Sequence, residues 1–198
     1  MEYWYLWVIF ALLCVLTVFV LRKASAALCS SSAERERMEA ELKRLKQLKD
    51  TYQNASAQVV DAAEPRELLE GANAVLQAKV EKAADAEACF AAFTDAQKYM
   101  YTLLYYLEDS REDAVFFLRN NGEPLLGTAA PALAAIGEET LAAALYTYFQ
   151  TQKEQGDVLT DEALQETYVK TVQPVFDENR ILAHAKAYMQ AHRTEIFN

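Results

Sequence analysis

The sequence predicts an all-α protein with one N-terminal transmembrane helix, a helical stalk and a C-terminal multi-helix globular domain. Three observations favour this class. Residues 3–21 form one uncharged apolar run, the later apolar residues recur at helical spacing, and no stretch alternates for long enough to form a strand. We expect the anchor at 1–23, the linker and charged stalk helix at 24–62, and the domain at 63–198.

The N-terminal apolar run has the length of a bilayer span. At ~1.5 Å per residue, a helix over residues 3–21 is roughly 28 Å long, close to the ~30 Å of bilayer hydrocarbon. Trp4 and Trp7 suit the headgroup boundary at one end, and Arg22 and Lys23 end the run at the other. A cleaved signal peptide is the alternative, but it carries positive charge before its apolar stretch. The lipid bilayer is thus the first predicted partner.

The charges beside this run predict its orientation. Residues 22–49 contain eight Lys or Arg, whereas neither residue before the run is basic. By the positive-inside rule, the N-terminus lies outside and the domain lies in the cytoplasm. Three cysteines, Cys14, Cys29 and Cys89, form no framework of extracellular disulfides, which agrees with that side of the membrane. We therefore expect a single-pass protein of the cell membrane.

The stalk, from about residue 33 to 58, alternates acids and bases. Its apolar residues Met38, Leu42, Leu45 and Tyr52 recur at spacings of four, three and seven, the spacing of the a and d positions of a coiled coil. Lys49 occupies the a position between the last two. This is about two heptads, short of the ~3–4 that argue strongly for a coiled coil. A stalk that pairs weakly with another copy is one interpretation, and a solvated helix with internal ion pairs is the other.

Start and stop signals predict the helices of the domain. Pro65 opens a helix to about residue 82, and a further helix follows at 84–107. The last two turns of that helix are apolar nearly all round, so we expect it to form the core. Three more features are predicted: a helix opened by Ser110 and ended by Gly122, a helix over 138–155, and a last helix broken at Pro174.

Negative charge is concentrated in the C-terminal part. Residues 1–85 hold 11 Lys or Arg and 12 Asp or Glu, whereas residues 86–198 hold 8 and 17, so this part carries −9 of the total −10. Phosphate recognition needs a basic surface, so we expect no direct contact with nucleic acid and instead a protein partner with a basic patch. Several acids are expected beside helix ends, where they are either ordinary capping groups or part of a partner-binding surface. They are Glu108, Asp109, Glu112, Asp113, Glu123, Glu138 and Glu139.

Five pieces of sequence between about residues 93 and 197 carry a family resemblance. They are the tyrosine-rich segment 101–108, the pair Phe116-Phe117, and the segments 120–123, 130–137 and 192–197. In this order and spacing they resemble the acidic, all-helical bacterial DNA-mimic protein domain, long catalogued as a domain of unknown function. The resemblance implies a helical, acidic domain that binds a DNA-binding protein and performs no chemistry.

The sequence departs from the pattern of that family in three places. Residues 110–113 replace its Asn-Gly-Gly-Phe, Val115 replaces a glutamine, and Arg193 replaces the proline of its closing motif. Two lost glycines imply that a turn which needed positive φ is built here as a capped helix start. If that loop contributes to the family's binding surface, the binding activity of the family need not carry over to this chain.

A search for catalytic patterns gives no candidate. The histidines, His184 and His192, stand eight residues apart without Cys, Asp or Glu at zinc-ligand spacing. No serine lies in a Gly-x-Ser-x-Gly turn, and the five glycines form no phosphate-binding loop. We predict no enzymatic activity, no cofactor and no metal site.

The function predicted from these features is a membrane-tethered cytoplasmic interaction module that presents an acidic helical surface to a basic protein. The alternative is a self-associating scaffold of the cell envelope or division machinery, with homo-oligomers formed through the stalk and the aromatic segment. A hydrolase is a third and weaker alternative that only an activity screen would support.

Overall fold

The computed structural model describes residues 34–155 and 162–197. These residues form helices and connecting turns without a strand, which confirms the all-α class. The chain divides into two compact units, Met1–Leu45 and Lys46–Asn198. The described helices are α1 (34–52), α2 (Ala57–Ala62), α3 (Pro65–Lys82), α4 (Ala86–Ala91), α5 (Asp95–Ser110), α6 (Phe116–Asn120), α7 (Leu125–Ala135), α8 (Glu139–Gln155), α9 (Glu162–Val172), α10 (Glu178–Ala191) and α11 (Arg193–Ile196).

The predicted membrane anchor lies outside the described residues. Within residues 34–155 and 162–197, no helix is both long enough and apolar enough to cross a membrane. Trp4, Trp7, Arg22 and Lys23 all precede this part of the chain. The anchor, its orientation and the cellular location therefore stay predictions from the sequence.

Two helix boundaries differ from the sequence prediction. The expected helix over 84–107 is divided into α4 and α5, because Thr94 and Gln97 form a capping box in which each side chain accepts a hydrogen bond from the backbone N–H of the other. Ser110 is the last residue of α5 and does not open the next helix. The Oδ1 atom of Asp113 accepts the backbone N–H of Val115 at 3.0 Å in the turn before α6, and Val115, the N-cap residue of α6, forms no side-chain capping bond.

Helix α5 lies at the centre of the larger unit. It packs against α3, α6, α7, α10 and α11, while α7 packs against α8, and α8 against α9. Met100, Leu103, Tyr106 and Leu107 are each at most 1% exposed. The prediction that this segment contains the core helix is therefore confirmed.

A buried asparagine ties α3 to α5. Asn73 is 5% exposed, and its Nδ2 donates to the carbonyl oxygens of Met100 at 2.9 Å and Leu69 at 3.1 Å. Buried polar groups need such partners, because an unpaired group in the interior costs several times the net gain of a formed hydrogen bond. Asn73 thereby helps to fix how α3 and α5 lie along one another.

The C-terminal end of α1 belongs to the larger unit. Tyr52 is 1% exposed, and its ring covers Gly71 of α3, where a Cβ atom would overlap the ring. Its hydroxyl donates to Glu67 at 3.2 Å, and its ring centroid lies 6.3 Å from that of Phe197. The backbone N–H of Asn54 donates to the carbonyl of Phe197 at 3.2 Å. The compact unit thus includes residues 46–62, which the sequence grouped with the stalk.

Candidate functional site

Four of the predicted binding residues lie together at the end of α5. Residues 108–113, here called the acidic turn, contain Glu108, Asp109, Glu112 and Asp113 and connect α5 to α6. Glu108 and Glu112 are exposed, whereas Asp109 and Asp113 are half-buried. The helical end of α5 places the first two acids, and the turn places the others.

Two acids of the turn bind groups of the same chain. Asp109 accepts hydrogen bonds from the Nδ2 atoms of Asn120 at 3.3 Å and Asn121 at 2.5 Å, which fixes the end of α6 against the end of α5. Asp113 accepts the backbone N–H of Val115. These carboxylates therefore have a structural task, as the capping interpretation of the sequence supposes.

The other two acids have no such partner. Among the described residues, neither Glu108 nor Glu112 forms a hydrogen bond or an ion pair. Partial burial, and next the nearby Glu70 carboxylate, raise the pKa of Glu108, while Arg66 acts in the opposite direction. Burial and the Glu70 carboxylate thus disfavour the charged form of Glu108, and Arg66 and Arg111 offset this only in part.

The nearest arginines are bound to another carboxylate. Arg111, itself part of the acidic turn, donates from Nη2 and Nε to Glu178 at 2.8 and 3.2 Å. Arg66 also forms an ion pair with Glu178. A planar guanidinium bound through two nitrogens is held in a fixed orientation. Both cations thus bind Glu178 of α10, Arg66 also lies 3.7 Å from Glu70 of its own helix, and neither forms an ion pair with Glu108 or Glu112.

A cleft of about 360 Å³ lies beside the acidic turn. Acids form part of its rim, and half-buried apolar side chains of the α9–α10 region form part of its wall. Such a mixture suits a long basic side chain, because the aliphatic stem packs on apolar groups while the charged head stays at the rim. The lining residues are Ser110, Arg111, Glu112, Asp113, Ala114, Val169, Gln173 and Phe176.

The structure places Glu138 in the interior. Glu138 is 5% exposed, and its two carboxylate oxygens accept hydrogen bonds from Nε and Nη2 of Arg180, each at 3.0 Å. Nδ1 of His184 lies 3.0 Å from the same carboxylate. The hydrogen bonds from Arg180 link the start of α8 to α10. This enclosed position leaves Glu138 no face for a partner, and we do not include it in the binding surface.

Glu123 and Glu139 lie apart from the cleft. Glu123 is exposed and accepts the backbone N–H of Gly127 at 3.2 Å, at the start of α7. Glu139 is the exposed first residue of α8 and lines a different depression. Neither residue is among those that line the cleft at the acidic turn. The seven predicted acids therefore form one group of four and three separate sites.

Sequence reasoning missed a groove of about 620 Å³ between α8 and α9. Three of its four threonines, Thr147, Thr167 and Thr171, donate to backbone carbonyls four residues earlier, the first two at 2.8 Å and the third at 2.9 Å. These bonds satisfy the hydroxyl donors locally, so small methyl groups form much of the surface. The signal was present in the sequence as alanines and threonines at spacings of three and four. The groove is lined by Glu139, Thr140, Ala143, Ala144, Thr147, Tyr148, Leu164, Thr167, Tyr168 and Thr171.

No metal-binding group emerges from the described part of the chain, where no three His, Cys, Asp or Glu side chains are placed to hold an ion. The acidic turn is instead a set of carboxylates at the edge of a partly apolar cleft. Comparisons of the chain with protein-family models, with curated proteins and with solved structures found no match.

Proposed function

We propose that this protein is a membrane-tethered, non-enzymatic interaction module whose acidic turn binds a basic protein in the cytoplasm. The observation that carries the proposal is the pair Glu108 and Glu112, two exposed carboxylates of the acidic turn that form no hydrogen bond or ion pair among the described residues, of which Glu112 lines the cleft. A lysine or arginine of the partner supplies the missing positive charge, and its stem packs against Val169 and Phe176.

The expected energy of such a contact comes from two sources. A hydrogen bond to a charged group contributes about 1.5–3 kcal/mol where water is excluded, and each buried CH₂ of the stem adds ~0.8 kcal/mol. The net charge of −9 over residues 86–198 also accelerates the approach of a basic partner at low ionic strength. Binding is therefore expected to weaken as salt is added.

Charge reversal at the acidic turn tests the proposal. The full chain is expressed in its native membrane with a cleavable cross-linker, and captured proteins are quantified by mass spectrometry for wild type and for Glu108→Lys/Glu112→Lys. The control, Asp95→Lys/Glu154→Lys, makes the same change in net charge at two exposed acids outside the acidic turn. Asp95 starts α5 and lies about 20 Å along the helix from Glu108.

We expect the acidic-turn variant to lose a basic protein that the control retains, while both variants keep the circular dichroism of wild type. Equal capture by the acidic-turn variant and wild type contradicts the proposal. Equal loss in both variants shows that net charge alone acts, and this also contradicts a specific acidic turn.

The tether has its own test. Sodium carbonate extraction is expected to leave the full chain in the membrane fraction, and protease added to intact cells is expected to leave the C-terminal domain uncut. Release by carbonate would contradict the anchor formed by the apolar run that ends at Arg22 and Lys23. Digestion of the domain in intact cells would contradict the cytoplasmic location.

The family resemblance of residues 93–197 supports a more specific partner, a protein that otherwise binds DNA. On this proposal, duplex DNA and the acidic turn compete for one basic surface. The captured protein is titrated with a fluorescent duplex, and added wild-type chain should displace the duplex whereas Glu108→Lys/Glu112→Lys should not. A partner that binds no duplex contradicts the DNA-mimic proposal and leaves the basic-partner proposal standing.

A second candidate function, a self-associating scaffold, is favoured by a different observation. Met38, Leu42 and Leu45 of α1 are among the few large apolar side chains of the described residues that are exposed. Exposed apolar residues that recur along one helical face are typical of a surface that another helix covers.

A further inference from the structure

The apolar stripe of α1 is covered at one end and open at the other. Met38, Leu42 and Leu45 are 60%, 67% and 41% exposed, whereas Tyr52 is 1% exposed. In the heptad repeat of a coiled coil, Met38, Leu45 and Tyr52 occupy d positions and Leu42 occupies an a position. Lys49 occupies the a position between Leu45 and Tyr52. The chain itself therefore covers the stripe at Tyr52 and leaves about two helical turns before it open to solvent.

Charge along α1 is divided between its two halves. Residues 34–41 contain four acids and two bases, whereas residues 42–49 contain four bases and no acid. A helix with an acidic first half and a basic second half attracts a second copy of itself when the two run in opposite directions. Two copies that run in the same direction bring the two acidic halves together and the two basic halves together, although Glu41 at a g position then lies beside Lys46 of the second copy.

We infer that the open seam of α1 pairs with the same seam of a second copy in antiparallel orientation. An antiparallel seam sets a positions opposite d positions, so Leu42 packs against Leu45 of the second copy, and Leu45 against its Leu42. Glu39, at an e position, then lies beside Lys46 at the e position of the second copy. Because the pair is symmetric, the contact between Leu42 and Leu45 and the contact between Glu39 and Lys46 each occur twice.

The interrupting lysine distinguishes this arrangement from a parallel pair. In a parallel seam, Lys49 lies directly opposite Lys49 of the second copy, and Glu34 lies beside its Glu39, so like charges meet at both places. In the antiparallel seam, the Lys49 stem lies against Met38 of the second copy, and its ammonium reaches solvent. The same residue that weakens a parallel coiled coil is therefore compatible with an antiparallel pair.

This inference rests on the self-association candidate and deepens it by naming the surface, the partner and the orientation. It does not depend on the acidic turn, whose residues lie on other helices of the chain. The variant Glu108→Lys/Glu112→Lys should therefore lose the basic partner and keep the α1 pairing, which separates the two proposals experimentally.

Disulfide cross-linking in the native membrane tests the orientation. Two full-length chains with different tags are co-expressed after Cys14, Cys29 and Cys89 are replaced by serine, one with Leu42→Cys and the other with Leu45→Cys. Disulfides need Cα atoms within about 4.4–6.8 Å, so only residues in the same layer are joined. An Ala183→Cys pair, at an exposed position on α10, measures random collision.

We expect the mixed Leu42→Cys and Leu45→Cys pair to cross-link at least several-fold more than either variant with itself, and far more than the Ala183→Cys control. Efficient cross-linking of Leu42→Cys to itself shows a parallel pair and overturns the inference. A mixed pair no better than the control shows that no second copy covers the seam, which also overturns it.

A charge exchange tests the same register with the two cysteines left in place. Glu39→Lys places two lysines beside one another in each e–e contact and should reduce the mixed cross-link several-fold. Adding Lys46→Glu to the same chain restores opposite charges and should restore the cross-link. Failure of the double variant to recover contradicts the antiparallel register, because the exchange leaves the apolar seam unchanged.

Discussion

Carboxylates in two regions of the molecule differ in whether the chain supplies them with a positively charged partner. In the interior, Glu138 is fixed through both oxygens by Arg180, and the half-buried Glu178 is bound by Arg66 and Arg111. At the acidic turn, Glu108 and Glu112 stay exposed and without partners. The neighbouring arginines, Arg66 and Arg111, form their ion pairs with Glu178, so neither of these two glutamates is part of an ion pair within the described residues.

This difference predicts that interior and turn respond differently to substitution. The interior should lose stability when a single side chain is changed, whereas the turn should lose binding at unchanged stability. Each of the following predictions tests one side of that contrast, beginning with the largest expected effect.

Removal of a core ring should have the largest effect. Tyr106 is fully buried and lies 5.3 Å from the ring of Phe117 and 6.3 Å from that of Phe176, measured between centroids. Tyr106→Ala leaves a cavity and should lower the free energy of unfolding by about 3–5 kcal/mol, the usual cost of removing a buried aromatic ring. Urea unfolding followed by circular dichroism measures it. A loss below about 1 kcal/mol would contradict the packing described for α5.

Two glycines in helices should respond with opposite sign. Gly71→Ala places a Cβ atom against the Tyr52 ring and should cost about 1–3 kcal/mol. Gly127→Ala meets only the movable carboxylate of Glu123 and should be neutral or stabilise by up to ~1 kcal/mol through helix propensity. The unfolding midpoints of both variants are compared with that of wild type. Equal shifts would show that the Tyr52 ring does not lie against Gly71 of α3.

Alkaline pH should destabilise the interior through its tyrosines. Burial raises the pKa of Tyr106 from 10.0 to about 12, so the folded state holds the proton more tightly than the unfolded state. The stability that this group contributes is complete below pH 10 and is lost as the pH rises towards 12. Tyr106→Phe should therefore show a smaller fall in unfolding free energy between pH 9 and 11 than wild type. An identical fall in both proteins contradicts this assignment.

The smallest effect is expected from Glu108. Its pKa is raised above 4.5, so the folded state prefers the protonated form, and the resulting stability is present below pH 4.5 and lost as the pH rises through the folded pKa. Glu108→Gln should thus be slightly more stable than wild type at pH 7 and equal to it at pH 4. Greater stability of wild type at pH 7 would mean that the charged carboxylate has a partner after all.

Much of the helical framework could be predicted from the sequence, because local signals decide it. The proline at the start of α3, the acids that open α8 and the break at Pro174 all lie where the structure has them. The boundary between α4 and α5 was not predicted. Both helices continue one apolar stripe, and the capping box of Thr94 and Gln97 was not recognised as an interruption.

The site could be predicted only in part. Glu108 to Asp113 are neighbours in sequence, so their grouping follows from any helical end at this position. Which acids are open depends on distant partners: Asn120 and Asn121 bind Asp109, and Arg180 reaches Glu138 from 42 residues away. No local pattern encodes such pairings, and the cleft wall from Val169 to Phe176 depends on the same tertiary contacts.

The most direct test of the account is a charge exchange between the acidic turn and its captured partner. Cross-linking mass spectrometry first identifies the partner's basic residue nearest Glu112, and the two side chains are then reversed singly and together. We predict that Glu112→Lys and the reversal in the partner each reduce capture at least tenfold, and that the two reversals together restore most of it. If the double reversal binds no better than either single one, Glu112 does not face that basic group, and the central claim is contradicted.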